Sequence, residues 1–246
     1  SQAGKGGQTT APYSSGEKNV AIGAEALNDF TTGKQNVAIG VDSLHRNETG
    51  DDNVAVGYFS GYYATGSKNT FVGRNAGRGD TSAPFASGER NVAIGYEALE
   101  DFTTGGSNVA IGSQAGTDVT SGGYHVLIGN QAGQKITGAN YTVHIGYRAA
   151  RYNTGAYNTS LGYGALLGAD GSSTGGSNVA VGYNALTAIT TGTTNTLMGH
   201  QAGLQLTTAA SNTAIGYNAM RLGTVATHIV AIGKEAFENI ATDGNA

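Results

Sequence analysis

Two histidines stand in short strand-like stretches, at places where the chain otherwise repeats other residues. His125 occupies a position that is usually Asn, and His144 one that is usually Ala. The imidazole ring is a frequent ligand of transition metals. Because side chains alternate between the two faces of a strand, the shared parity of these positions predicts that both rings face the same way. The two histidines are therefore the candidate ligands of a metal or an anion. The alternative is that His144 is a larger filler, at a repeat position that also holds Phe71, Leu127 and Leu197.

A second set of side chains suited to binding is aromatic. Six tyrosines each follow directly the glycine that closes a motif of the NVAIG type, and they are Tyr58, Tyr96, Tyr147, Tyr163, Tyr183 and Tyr217. Arg74, His200 and Lys234 take the same place in other copies, so this position is expected to meet solvent or a partner chain. A ring with a hydroxyl group suits carbohydrate, which predicts a sugar-stacking stripe. The alternative is packing between chains or between coils.

The tripeptide Arg78-Gly79-Asp80 matches the RGD motif of integrin ligands. A tripeptide arises easily by chance in a glycine-rich chain, so coincidence is the favoured interpretation. It lies in an insertion, RGDTSAPFASGE, that interrupts an otherwise regular repeat. Loops that break a regular scaffold often carry recognition. The three residues are therefore kept as candidate surface binding residues.

Other chemistry is scarce in the sequence. The chain has no cysteine, and it contains neither a zinc-binding HExxH nor a P-loop. Its acidic residues do not recur at one repeat position as a paired catalytic set would, so we expect no enzyme activity and no cofactor. A polysaccharide-degrading enzyme remains the alternative, because its cleft could be built from acids that are distant in sequence.

Composition narrows the classes of partner. Charged residues make up 12% and the net charge is −4, which leaves no basic surplus for nucleic acid. No apolar run approaches membrane-spanning length, and the first residues contain no apolar segment of a signal peptide. Binding to nucleic acid and membrane insertion by this chain are therefore not expected.

The elements that must position these side chains are repeats. The closing glycines serve as anchors and define thirteen units, at Gly23, Gly40, Gly57, Gly73, Gly95, Gly112, Gly129, Gly146, Gly162, Gly182, Gly199, Gly216 and Gly233. Eight of the twelve intervals are 17 residues, two are 16, and the others are 22 and 20. A period of 17 is too short for a helical hairpin, but it suits one coil of a β-solenoid.

Each position of the unit has its own character. The residue four before the anchor is Asn in ten units, namely Asn19, Asn36, Asn53, Asn69, Asn91, Asn108, Asn158, Asn178, Asn195 and Asn212. Stacked on equivalents one coil away, these side chains predict a stabilising amide ladder. The Val and Ile before the anchor predict a short strand, and we expect both to point inward. A second apolar position about seven after the anchor is expected to point inward with them, and its residues are Phe30, Phe102, Val119, Ile136, Ile189, Leu206 and Ile240. The Gly of each Thr-Gly pair, such as Gly33 or Gly105, is expected at positive φ in a turn.

The predicted fold is thus all-β: a β-solenoid of about thirteen 17-residue coils. Residues 14–240 form one repeat domain with insertions near 78–89 and 168–175. Residues 1–13 lead into it, and residues 241–246 form a C-terminal tail.

The run NVAIGxxAL, followed by a polar turn and another NVAIG, resembles the YadA-like head repeat of trimeric autotransporter adhesins. The stretch from Asn212 to Met220 is also similar to phage-type tail-fibre arrays. The resemblance covers about residues 14–240 and implies a left-handed β-roll in a homotrimer. It departs from the adhesin family in that the adhesin repeat is generally shorter and that no coiled-coil stalk or membrane anchor is seen here. If His125 and His144 faced a threefold axis, three or six imidazoles would gather there.

The resemblance implies an extracellular protein of a cell surface, a virion or a tail fibre. Its expected function is multivalent attachment to a cell-surface glycan or protein receptor. A purely structural fibre or shaft segment is the first alternative, and the solenoid enzyme is the second.

Overall fold

A computed structural model describes residues 3–4, 15–81 and 85–239. The chain is an all-β parallel β-solenoid of about 17 residues per coil, as the repeat predicted. Thirteen strands lie within the described residues, and each has three residues. They are β1 Val20–Ile22, β2 Val37–Ile39, β3 Val54–Val56, β4 Thr70–Val72, β5 Val92–Ile94, β6 Val109–Ile111, β7 Val126–Ile128, β8 Val143–Ile145, β9 Thr159–Leu161, β10 Val179–Val181, β11 Thr196–Met198, β12 Thr213–Ile215 and β13 Val230–Ile232.

The coils fall into two compact units, Ser1–Tyr124 and His125–Ala246. In the first unit, β1 to β6 pair in sequence order, each strand parallel to the next and in register from one repeat to its equivalent. The second unit has the same order from β7 to β13. Longer intervals do not disturb this register, since Thr70 still pairs with Val92 and Thr159 with Val179. The insertions are therefore absorbed outside the strands.

The strands face the opposite way from the sequence-based expectation. The middle residue is buried in every described strand except β1, as Ala38 and Ala110 show, while the flanking residues, mostly Val and Ile, are half-buried or exposed on the outer face of the sheet. The prediction that Val and Ile point inward was wrong. A 17-residue coil encloses little volume, so each strand contributes one inward side chain rather than two branched ones. Each unit consequently presents an apolar outer sheet face in parallel columns.

Residues from two sides of the coil share the interior volume. Where the middle strand residue is Ala, the residue four after the anchor is often Leu, as with Ala93 and Leu99, both fully buried. Where it is Leu127, that residue is Gly133, whose added Cβ would lie 2.6 Å from the Leu127 side chain. The apolar residues predicted about seven after the anchor are buried at Phe102, Val119, Ile136, Ile189 and Leu206. Phe30 is only half-buried. Ile240 lies outside the described residues.

The anchor glycines are needed for both conformation and space. Gly95 has φ +133°, and a Cβ there would lie 2.6 Å from the carbonyl oxygen of Gly112 in the next coil. The Thr-Gly glycines differ from the expectation, because Gly33 and Gly105 are not at positive φ. Gly33 is required by close approach instead, since its Cβ would lie 2.7 Å from the carbonyl oxygen of Gly50. Left-handed backbone falls on residues such as Glu25 and Leu27, at φ 54° and 49°.

Parts of the predicted domain boundaries lie outside the described residues. These are most of residues 1–14, residues 82–84 within the first insertion, and residues 240–246. The second insertion, near 168–175, is described and makes an isolated parallel bridge between Asn153 and Ser173. Across the described ranges, no helix has the length and apolar character needed to cross a bilayer.

Candidate functional site

The predicted asparagine ladder is present, and it links the strand to the turn. In the second unit, the Asn178 Oδ1 atom accepts the backbone N–H of Asn195 at 3.0 Å, and the Asn178 Nδ2 group donates to the carbonyl oxygen of Gly192 at 3.0 Å. In the first unit, the same two bonds run from Asn36 to Asn53 and Gly50. These side chains are almost completely buried. The recurring Asn therefore satisfies backbone groups that would otherwise be buried without a partner.

His125 and His144 are both buried inside the second unit. The Nδ1 atom of His125 lies 2.7 Å from the Thr142 hydroxyl, and the Nδ1 atom of His144 lies 2.8 Å from the Ser160 hydroxyl. Burial lowers the pKa of His125 to about 4 and that of His144 to about 3, with a further contribution from His125 to the latter. Both rings are thus held neutral, a state in which imidazole can bind a metal.

Burial also limits where such a metal could bind. His144 has no solvent exposure even in the single chain, so its ring points into the coil rather than toward a surface shared by several chains. A cluster of imidazoles on a threefold axis does not fit this position. The Nε2 atom of His144 is buried and has no hydrogen-bond partner. His144 stands in register with Leu127 and Ser160, which is the setting expected of a core filler.

Four of the predicted tyrosines form one stacked column in the second unit. His200 continues the stack, and we call Tyr147, Tyr163, Tyr183, His200 and Tyr217 the tyrosine column. Neighbouring ring centroids are 5.0–5.2 Å apart and the planes differ by 13–19°. Its four tyrosines are exposed, at 38–49% of their surface. The ring faces meet one another, and the edges and hydroxyl groups face outward.

The first unit builds a related arrangement with a cation in place of a ring. The Arg74 guanidinium carbon lies 5.7 Å from the Tyr58 ring centroid and 5.8 Å from the Tyr96 centroid, and both rings are exposed. Such cation–π contacts are stabilising. The residue after the anchor is thus an outward, stacked position in both units, as the sequence predicted.

The Arg78-Gly79-Asp80 tripeptide is part of the coil wall. The Arg78 guanidinium forms ion pairs with Glu100 and Asp101, each at 2.8 Å. Burial raises the pKa of both carboxyl groups, and the charge of Arg78 opposes that shift. Gly79 is buried, and the backbone N–H of Asp80 donates to the Phe102 carbonyl oxygen at 3.2 Å. The Arg78 side chain is therefore held by intramolecular ion pairs, and this does not suit its presentation to an integrin.

One polar cluster was not predicted from the sequence. Glu25 and Asp42 occupy the same repeat position, two after the anchor, so the expectation that acids share no repeat position was wrong. Together with His45 they bring two carboxylates and an imidazole within 4.8 Å of one another. Aligning the repeats by their anchors would have revealed the two acids on adjacent coils, with His45 three residues after Asp42.

Searches against models of protein families, curated proteins and solved structures found no match. The parallel β-solenoid with 17-residue coils therefore rests on the structure and the repeat alone.

Proposed function

We propose that this chain is an extracellular attachment protein whose outward columns bind a cell-surface ligand at several places at once. The observation that carries the proposal is the tyrosine column of the second unit, which presents ring edges and hydroxyl groups at intervals of about one coil. Aromatic rings with a polar end are suited to surfaces that are partly apolar and partly wet, such as glycans. A receptor protein is the other ligand class.

The proposed mechanism is avidity. Each exposed ring edge offers little binding energy, but equivalent groups recur from coil to coil along the unit. When several weak contacts engage one polymeric ligand, every contact after the first is effectively intramolecular, and net binding strengthens without any new type of contact. No catalytic step is part of this proposal.

We further propose a homotrimer, of the kind found in the adhesin heads and tail fibres that the repeat resembles. The outer sheet face supports self-association, because Ile94 and Ile215 are each 37% exposed and belong to columns of Val, Ile, Leu and Met. Large contiguous apolar patches are uncommon on monomeric proteins and often mark interfaces. Three copies would also triple the number of binding columns.

Glycan-array binding by the untagged chain tests the proposal. A Tyr163→Ser, Tyr183→Ser double variant should lose at least about tenfold in apparent affinity, because it interrupts the column at its centre. Tyr157→Ser is the matched control, since Tyr157 is an exposed tyrosine of the same unit that stacks on Tyr141 outside the column. Absence of any bound glycan or receptor, or equal losses in both variants, would refute the proposal.

A structural fibre segment is the second candidate. It is favoured by one observation, that the ring faces of the tyrosine column contact each other and leave only the edges for a ligand. If the column serves only the fold, the double variant should lower the melting temperature and bind the same ligands as the unchanged chain.

A further inference from the structure

We propose that Glu25, Asp42 and His45 form a binding site for a divalent transition-metal ion, with Zn²⁺ as the representative. The site lies in the first unit, on the side of the coil that follows the anchor glycines Gly23 and Gly40. It is separate from the tyrosine column and does not depend on the proposed attachment function.

The first argument is convergence of the donor atoms. One ligand atom from each residue lies within 4.8 Å of the others. The His45 Nδ1 atom lies 2.9 Å from an Asp42 carboxylate oxygen and 3.7 Å from a Glu25 carboxylate oxygen. Imidazole nitrogen and carboxylate oxygen bind Zn²⁺ at about 2.0–2.2 Å. An ion placed among the three atoms would therefore need only small side-chain shifts.

The second argument is charge. Parallel pairing of β1 with β2 puts the acidic Glu25 and Asp42 at equivalent positions of adjacent coils, where like charges repel. At the same repeat position elsewhere in this unit, the Gln114 amide donates to the Glu97 carboxylate at 2.9 Å. In the part of the chain that the structure describes, neither Glu25 nor Asp42 has an ion pair with lysine or arginine. A bound cation would offset the repulsion between the two carboxylates that adjacent coils bring together.

The third argument is the support of the imidazole ring. The His45 side chain is 8% exposed, and its ring stacks on Tyr62 with centroids 4.8 Å apart. Its second nitrogen, Nε2, lies 3.8 Å from an Asp29 carboxylate oxygen, and Asp29 is itself held by Arg46 at 2.7 Å. Metal-binding histidines commonly turn their other nitrogen toward a carboxylate, which fixes the tautomer and the ring orientation. Here that leaves Nδ1 for the metal.

Access and selectivity also follow from the geometry. Glu25 is exposed and Asp42 half-buried, so an ion can enter from solvent and keep water in its remaining coordination positions. Binding requires that the metal replace the hydrogen bond between His45 Nδ1 and Asp42, with the ring proton then carried on Nε2, which faces Asp29. Because one ligand is nitrogen, Zn²⁺ should bind far more tightly than Mg²⁺, which prefers oxygen.

Calorimetric titration of the untagged, chelator-treated chain with Zn²⁺ alone tests the proposal, with thermal melting as a second readout. We expect one saturable site that involves His45 and a melting temperature that rises with Zn²⁺ concentration. Glu25→Gln and Asp42→Asn should each weaken binding at least about tenfold, since each removes one charged ligand. Glu25 is exposed, so its variant should fold normally. Mg²⁺ should give no comparable site.

Glu97→Gln is the matched control, because Glu97 occupies the same repeat position outside the cluster. It should bind Zn²⁺ as the unchanged chain does. The proposal is overturned if no saturable site is found, if Glu25→Gln and Asp42→Asn both bind normally, or if Glu97→Gln weakens binding as much as they do.

Discussion

The recurring asparagine shows how one side chain can serve two backbone positions. Its Oδ1 atom accepts an N–H at the start of the next strand, and its Nδ2 group donates to a turn carbonyl of that coil, as Asn178 does toward Asn195 and Gly192. A shorter or branched side chain cannot replace both bonds. This geometry explains why the residue recurs with the period of the coil.

Replacing Asn178 by Ala should lower the free energy of unfolding by about 1–3 kcal/mol, because buried backbone groups lose their partners. Asn130→Ala, at an exposed position of the same unit, should change it by less than about 0.5 kcal/mol. Chemical denaturation of both variants checks this, and equal stabilities would count against a role for the ladder.

A pH effect is expected from the buried His144. Its pKa is about 3 in the folded chain, against an ordinary value of 6.5, so the unfolded chain takes up a proton first as the pH falls. Stability should be constant above about pH 6.5 and decline toward pH 3, by up to about 1.4 kcal/mol per pH unit for this group.

His144→Leu should therefore flatten the decline in stability and move acid unfolding to lower pH. Leucine already fills the same repeat position at Leu127 and Leu197, so the interior accommodates it. His228→Asn, at an exposed site, serves as the control and should leave the decline in stability at low pH unchanged. Circular dichroism followed from pH 8 to pH 3 measures both, and identical acid midpoints for all chains would contradict the assignment.

At the scale of the coil, close contact between equivalent backbones decides which residues are allowed. Gly95→Ala places a Cβ 2.6 Å from a carbonyl oxygen of the next coil, so backbone must move. We expect a loss of several degrees in melting temperature. Gly171→Ala is a matched comparison, because Gly171 also has positive φ, at +71°, but has open space around it. A loss as large for Gly171→Ala would show that conformation, not contact, is limiting.

The sequence predicts the length of the coil from its period, and it also predicts the asparagine ladder and the buried apolar residues after the turn. The predicted orientation of the strands was wrong, because both orientations fit the same alternating pattern. Val-Ala-Ile alternates whether its first and third residues or its middle residue face the interior. A strand of three residues is too short to show from its pattern which face is buried. The enclosed volume decides, because it accommodates one inward side chain per strand, such as that of Ala38, rather than two branched ones. Glu25, Asp42 and His45 were missed because their proximity arises only when adjacent coils are stacked in register.

We expect the whole chain to self-associate through the outer sheet face. Ile215→Lys should convert the proposed trimer to smaller species with little effect on folding, since Ile215 is 37% exposed in the single chain. Gln205→Lys adds the same charge at an exposed position away from the strands and should leave the trimer intact. Light scattering checks both, and a chain that is monomeric at all concentrations would rule out the trimer.

Multivalent attachment makes binding depend on the density of the ligand, and this dependence can be measured directly. The apparent dissociation constant of the untagged chain should be measured on surfaces that carry its best array glycan at a series of densities. We expect the apparent affinity to rise by about two orders of magnitude or more once neighbouring glycans can reach several positions of one chain. An apparent affinity that stays constant across all densities would contradict it.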